Sequence, residues 1–316
     1  EIPLQVDVMR PPHSVSALAL GPADGALYLG GFQEILRYDG LSFTPLAQPA
    51  LASGRWVMFL EPLGGEGLLA VAGDWDALGA GGSRNEGGRL GVDPWRWPSP
   101  QRRFLAWPFG RDLAVIATAT DAGGVWAATT GGLLRISSQG GAPTAVALPV
   151  SAPVHAVAAS SRALAAATAD RLWVRRDGTF EERAELAGVT HLAWAADGVL
   201  WAATSRDLYR LPPGEPPQAI AFEPDVGARE VLALLVARDG WVWVGANVGL
   251  YRFAANGAPA GHERRSTRLP DERVLSLLED DTGAVWAGTR VGGVVRLRAP
   301  TVESLGSPEG LSDRVL

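Results

Sequence analysis

Short apolar segments separated by tight turns recur along the whole chain. In the clearest copy, an apolar run begins at Val274, an acidic turn spans Asp280 to Gly283, a second run surrounds Trp286, and a third contains Arg296. Runs of this kind, rich in β-formers and bounded by turn residues, predict strands. A repeat of about 40 residues built only from strands and turns is typical of a β-propeller blade.

Seven copies fill the chain when they are aligned on the Trp286 position. Five copies are clear, the second is divergent, and the fourth is degenerate between Val154 and Val174. The pattern predicts an all-β, seven-bladed β-propeller with four-stranded antiparallel blades, in a single domain over residues 1–316. Alternating apolar residues from Ile2 to Met9 predict an outer strand that completes the last blade.

A lone blade cannot bury both of its faces, so the repeats must stack in a closed ring. Asp-Gly and similar pairs supply the positive φ angles that tight hairpin turns require. The residues at the repeated aromatic position are therefore expected to lie buried between blades: Trp126, Trp201, Trp243 and Trp286.

The segment Val274–Thr289 carries Val-x-Ser-Leu-x-Glu-Asp-x-x-Gly-x-Val-Trp-x-Gly-Thr and resembles the two-component regulator propeller repeat. The resemblance implies a periplasmic sensor propeller, usually fused to a membrane segment and a kinase or cyclase, with no fixed catalytic residues. The segment Gly310–Leu316 looks like the opening of a further repeat, so we expect the natural chain to continue.

The amino-acid composition excludes several kinds of catalytic and binding site. The chain has no cysteine, which excludes disulfides, zinc–thiolate sites and cysteine nucleophiles. All 28 Lys and Arg residues are arginine, which argues against lysine chemistry. The net charge is −6, and acidic and basic residues are interspersed along the chain. No basic stripe is therefore present, and no nucleic-acid partner is predicted. No apolar run is long enough to span a bilayer, and no cofactor is predicted.

The second repeat carries an insertion from about Asp74 to Pro100, between its second and third strands. Long loops in compact domains tend to be functional, and tryptophan beside carboxylates suits a ligand or protein surface. The alternative is an ordinary loop whose tryptophans pack back on the blades. The binding candidates are Asp74, Trp75, Asp76, Asn85, Glu86, Trp95, Arg96 and Trp97. A Ca²⁺ site at Asp74, Asp76 and Asp93 is a weaker hypothesis, because their spacing matches no calcium loop.

Two histidines, His155 and His191, are predicted at the same register of adjacent blades, near the mouth of the central channel. A metal site or an acid–base pair is one hypothesis. Streptogramin lyase, a propeller enzyme, clusters its His and Glu in one blade, and no Glu stands beside either histidine here. We therefore favour two structural side chains that bond to neighbouring backbone.

Arginine recurs at one position of the third strand: Arg37, Arg135, Arg210, Arg252 and Arg296. A cationic ring for an anionic ligand is one interpretation. Pairing of each arginine with a turn carboxylate, or stacking on a tryptophan, is the favoured one, since ligand sites break symmetry rather than repeat it.

These patterns favour a non-catalytic extracytoplasmic binding module that senses a ligand or docks on a protein. Its expected partner is a small extracellular ligand or a membrane-associated protein. In the second case the protein itself is expected to be an accessory subunit of a membrane-associated complex. A propeller lyase or hydrolase with a site at the channel mouth is the alternative.

Overall fold

A computed structural model describes residues 5–9, 14–21, 24–46, 56–63, 67–73, 93–97, 105–106, 113–139, 142–222, 229–264 and 269–298. Every regular element in these ranges is a β-strand. The described residues contain no helix that is long and apolar enough to cross a membrane.

The strands form four-stranded antiparallel sheets, which we number along the chain. The first strand, β1 (Gln5–Met9), precedes sheet 1, which holds β2 (Ala17–Leu20), β3 (Leu27–Gly30), β4 (Ile35–Tyr38) and β5 (Phe43–Pro45). Sheet 2 holds β6 (Trp56–Leu63), β7 (Gly67–Gly73), β8 (Asp93–Trp97) and β9 (Leu105–Ala106). Sheet 3 holds β10 (Val115–Asp121), β11 (Gly124–Thr129), β12 (Gly132–Ser137) and β13 (Thr144–Val146).

Sheet 4 holds β14 (Ala156–Ala159), β15 (Leu164–Ala167), β16 (Arg171–Arg176) and β17 (Thr179–Glu185). Sheet 5 holds β18 (His191–Trp194), β19 (Leu200–Ala203), β20 (Leu208–Leu211) and β21 (Gln218–Ile220). Sheet 6 holds β22 (Val231–Val236), β23 (Val242–Ala246), β24 (Gly249–Phe253) and β25 (Pro259–Glu263). Sheet 7 holds β26 (Val274–Glu279), β27 (Val285–Thr289), β28 (Val294–Arg298) and, at its outer edge, β1.

The N-terminal strand joins the two ends of the ring, as its alternating pattern predicts. Strand β1 pairs antiparallel with β28, with Val6 opposite Leu297 and Val8 opposite Val295. Asp7 and Arg298 add an ion pair of 3.2 Å between the same two strands. The outer edge of sheet 7 is therefore covered by the beginning of the chain.

A valine at the start of the inner strand links sheets 1, 2, 4 and 6 to the preceding sheet. The backbone N–H of Val15 donates to the carbonyl of Thr289 at 3.0 Å, and that of Val154 donates to Thr129 at 3.0 Å. These bonds close the ring where sheet 1 meets sheet 7 and extend it from sheet 3 to sheet 4. This arrangement gives the molecule two faces. The hairpin face carries the turns between first and second and between third and fourth strands, and the loop face carries the other connections.

The hydrophobic core is divided into layers between neighbouring sheets. Trp126 and Leu133 of sheet 3 pack with Val154, Val157 and Trp173 of sheet 4. Trp201 of sheet 5 faces sheet 6, Trp243 of sheet 6 faces sheet 7, and Trp286 of sheet 7 faces sheet 1. The prediction that the repeated tryptophans are buried between blades is confirmed.

The predicted seven-bladed propeller needs correction at the second repeat. Six sheets have the regular form of a blade, with four strands of at least three residues each. In sheet 2, β8 follows a long insertion in the sequence, and β9 has only two residues. The count of regular blades is therefore six rather than seven, because the insertion and the short fourth strand break the repeat at sheet 2.

Candidate functional site

A carboxylate, an aromatic ring and an arginine form one structural unit within several blades. In sheet 3, Asp121 accepts a 2.8 Å hydrogen bond from Trp126 Nε1 and an ion pair from Arg135, whose guanidinium lies 4.4 Å from the Trp126 ring centre. In sheet 7, Asp280 accepts from Trp286 Nε1 at 2.8 Å and pairs with Arg296 at 3.0 Å.

Burial alone would raise the pKa of the Asp121 carboxyl. Hydrogen bonds from Trp126 and Arg135 outweigh that effect and hold the pKa below its ordinary value. Arg37 pairs with Asp24 at 2.9 Å, and the guanidinium of Arg252 lies over the Trp241 and Trp243 rings. The structural interpretation of the recurring arginines is confirmed for these positions. Arg210 differs, because its Nε donates to the carbonyl of Ala255 in sheet 6.

The fourth repeat lacks this unit. Ala165 pairs with Val174 across β15 and β16, as Trp126 pairs with Arg135 across β11 and β12. Ala165 is fully buried against sheet 5. Sheet 4 therefore sends an alanine, not a tryptophan, toward its neighbour.

A groove opens on the hairpin face where sheets 4 and 5 meet, and we call it the 4/5 groove. It encloses about 550 Å³, and its lining includes Ser160, Ser161, Arg162, Arg176, Asp177 and Trp194. Trp194 comes from the inner strand of sheet 5 and donates from Nε1 to the carbonyl of Ala158 in sheet 4 at 3.2 Å. This indole lies across the position that the missing tryptophan leaves open.

Tight turns hold the two arginines of the groove. Arg162 follows Ser160, whose Oγ accepts the backbone N–H of Ala163 at 3.0 Å and donates to its carbonyl at 3.0 Å. Arg176 precedes the turn residue Asp177, which has a φ of 50°. Asp is among the few non-glycine residues that adopt this left-handed conformation readily.

The guanidinium groups of Arg162 and Arg176 are exposed, and neither has a hydrogen bond or ion pair with any described residue. A third cation, Arg183, is fixed by bonds of 2.6 Å from its Nη2 to the carbonyls of Pro212 and Glu215. Burial, and then the charge of Arg176, lower the pKa of Arg183. The groove thus holds two cations that no described contact of the fold uses.

A second groove, of about 270 Å³, lies on the same face where sheets 7 and 1 meet. Its arginines, Arg37 and Arg296, are already bound to Asp24 and Asp280. This groove therefore has fewer groups available to a ligand than the 4/5 groove.

The predicted common register of His155 and His191 is wrong by one residue. The backbone N–H of His155 donates to Ala167 at 2.8 Å, and the equivalent bond in sheet 5 runs from Thr190 to Ala203 at 2.8 Å. Successive strand residues point to opposite faces, so the two imidazoles do not converge. His191 Nε2 lies 2.9 Å from the carbonyl oxygen of Leu232, a backbone contact expected of a structural histidine.

His155 differs from His191 in its surroundings. Burial lowers its pKa, and its Nδ1 has no hydrogen-bond partner among the described residues. It stands just before β14, at the loop-face end of the inner strand.

A half-buried carboxylate that sequence analysis missed lies between sheets 2 and 3. Glu61 of β6 accepts hydrogen bonds from two hydroxyls of β10, those of Thr118 at 2.6 Å and Thr120. Burial raises the pKa of Glu61 despite both bonds. Glu61 is near the hairpin-face end of its strand, whereas His155 is at the opposite end of its own. The two groups therefore do not form an acid–base pair.

The insertion candidates stay a prediction. Asp74, Trp75, Asp76, Asn85 and Glu86 lie outside the described residues. Asp93, Trp95, Arg96 and Trp97 lie in β8, whose side chains are outside the described set. Strand β7 ends and β8 begins at the loop face, and the 4/5 groove lies on the opposite face.

Comparison with known proteins gives structural matches only. No family model and no curated protein sequence matches the chain. A catalytically inactive variant of virginiamycin B lyase from Staphylococcus aureus, solved with quinupristin, aligns with a TM-score of 0.72 at 11% identity, over 93% of this chain and 99% of that chain.

Two other solved structures belong to different functional classes. The extracellular domain of a putative hybrid two component system from B. thetaiotaomicron aligns with a TM-score of 0.70 at 14% identity, over 93% of this chain but 41% of that chain. YCF48 bound to D1 peptide aligns with a TM-score of 0.65 at 11% identity, over 93% of this chain and 96% of that chain. At these identities the matches show the all-β propeller fold alone.

Proposed function

We propose that the protein is a non-catalytic, extracytoplasmic binding propeller that recognises its ligand or partner at the 4/5 groove. One observation carries the proposal. The arginines that recur on the third strands are tied to carboxylates, rings or carbonyls, whereas Arg162 and Arg176 line an open groove with no described partner. Binding sites in repeat proteins are expected where the repeat changes, and this groove lies at the degenerate fourth repeat.

The extracytoplasmic assignment rests on two analogies: the resemblance to two-component regulator repeats and the structural likeness to an extracellular sensor domain. Sensing of a small ligand and docking on a membrane-associated protein are two forms of the same proposal. A lyase or hydrolase has one favourable observation, the half-buried His155 with an unpartnered Nδ1. It has less support, because Glu61 lies at the opposite end of the inner strands.

A photo-crosslinking residue placed at Ala196, beside the groove, tests the proposal in the native cell. We expect an adduct, detected by intact mass, that disappears when Arg162→Gln and Arg176→Gln are combined. The matched control places the same residue at Asp281, which is exposed in the hairpin turn of sheet 7. Absence of an adduct at Ala196, or an equal adduct at Asp281, would contradict the proposal.

A further inference from the structure

We propose that the 4/5 groove binds an oxyanion attached to a flat apolar ring, a class that includes aromatic phosphates, sulfates and carboxylates. The inference rests on the proposed function and names the chemistry of its ligand. Each feature of the ligand follows from a different group of lining residues.

The anionic part follows from the unused cations. Arg162 and Arg176 line the same groove and have no described hydrogen bond or ion pair. A guanidinium presents a planar fork of N–H donors that matches the oxygens of carboxylates, sulfates and phosphates. Arg162 lies in a turn that the Ser160 hydroxyl holds, and Arg176 is the last residue of β16, paired with Thr179, so the backbone at both positions is set before a ligand arrives.

The acidic residue in the lining limits the charge of the ligand. Asp177 stands next to Arg176, so the lining carries two positive charges and one negative charge. A ligand with one anionic group gains the attraction of both arginines, whereas an extended polyanion also meets the Asp177 carboxylate. The net charge of −6 for the whole chain opposes polyanions in the same direction.

The flat apolar part follows from Trp194 and its neighbours. The indole Nε1 is already bound to the Ala158 carbonyl, so Trp194 offers a ligand only its ring surface. The lining also includes the small apolar side chains of Ala163, Ala195 and Pro213. A polar ligand would leave these apolar groups uncovered, whereas an aromatic ring would bury them and stack on the indole.

The groove has the right size for such a ligand. Its volume of about 550 Å³ lies within the range of small-molecule sites, about 300 to 1,000 Å³. The second groove, where sheets 7 and 1 meet, lacks this combination, because Asp24 and Asp280 neutralise its arginines Arg37 and Arg296. Of the two grooves described, only the 4/5 groove combines the unused cations Arg162 and Arg176 with the apolar surface of Trp194.

Isothermal titration with phenyl phosphate tests the assignment. Inorganic phosphate serves as the anion without a ring, and benzyl alcohol as the ring without an anion. We expect the purified wild-type protein to bind phenyl phosphate at least tenfold more tightly than either. Arg162→Gln combined with Arg176→Gln should weaken phenyl phosphate binding at least tenfold. Arg206→Gln, an exposed arginine on the loop face, is the matched control and should change nothing.

A third variant separates the ring from the charge. Trp194→Leu should reduce phenyl phosphate affinity to that of inorganic phosphate and leave inorganic phosphate binding unchanged, with its melting temperature measured in parallel. Equal binding by the double arginine variant and Arg206→Gln, or no phenyl phosphate binding by the wild type, would overturn the ligand class. If the Ala196 adduct still forms in that case, the binding function stands and only the ligand chemistry is wrong.

Discussion

Ala165 stands where sheets 3, 5, 6 and 7 carry tryptophan, and this one replacement decides much of the local surface. A tryptophan there would lie between sheets 4 and 5, as Trp126 lies between sheets 3 and 4. The sequence shows that Ala165 replaces the repeated tryptophan, but it does not show which side chain fills the space that the tryptophan would occupy. The groove also depends on Trp194 of sheet 5, which packs against the same core cluster as Ala165 and bonds to the Ala158 carbonyl.

Glu61 was missed for a different physical reason. Its partners, Thr118 and Thr120, are far away in sequence and belong to another repeat, so no local motif announces the contact. An isolated Glu in an apolar strand gives no sign of whether it faces solvent or a neighbouring sheet.

The raised pKa of Glu61 predicts a pH-dependent stability. Because the folded protein holds the Glu61 proton more tightly than the unfolded chain, this group stabilises the fold fully below a pH of about 4.5, its ordinary pKa. That contribution is lost as the pH rises through the higher folded pKa. The advantage in unfolding free energy of Glu61→Gln over wild type should therefore grow from pH 4 to pH 8 in urea titrations.

Glu181→Gln is the matched control, since Glu181 is an exposed carboxylate on strand β17. Its difference from wild type should stay constant over the same range. A pH-independent difference for Glu61→Gln would show that Glu61 titrates as an ordinary surface carboxylate.

Strands and their pairing were predictable because each follows from a local pattern. Alternating residues in β1 and the apolar run in β28 predicted the strand pair that closes the ring. Sheet 2 was less predictable, because its insertion separates β7 from β8 and removes the regular spacing of the repeat. The strand order of sheet 2 is as predicted, but its outer strands do not have the form of a regular blade.

Removal of β1 should weaken the seventh sheet first. A variant lacking residues 1–9 loses the ladder to β28 and the Asp7–Arg298 ion pair, and it exposes an unpaired strand edge. We expect a lower urea midpoint than for wild type and faster hydrogen exchange at the amides of Val294 to Arg298. A variant lacking only residues 1–4 retains β1 and should match wild type. Equal midpoints for the two truncations would show that β1 does not close the ring.

The molecule combines a symmetric scaffold with local departures from it. Repetition predicted the propeller, the buried tryptophans and the structural arginines, because those features must recur for sheets to pack. Function could not be predicted in the same way, since a binding groove uses residues of two sheets that the repeat does not relate. The solved structures with this fold include a lyase, an extracellular domain of a putative two component system and a peptide-bound protein, so the fold alone does not choose among these functions.

Hydrogen exchange of the protein, alone and with the species captured at Ala196, tests most directly whether the 4/5 groove is the binding site. The account predicts slower exchange at the turn amides of Ala163 and Gly198, with no change at loop-face amides such as Asn247. Unchanged exchange at Ala163 and Gly198, together with protection at Asn247 and other loop-face amides, would contradict it and place recognition on the loop face.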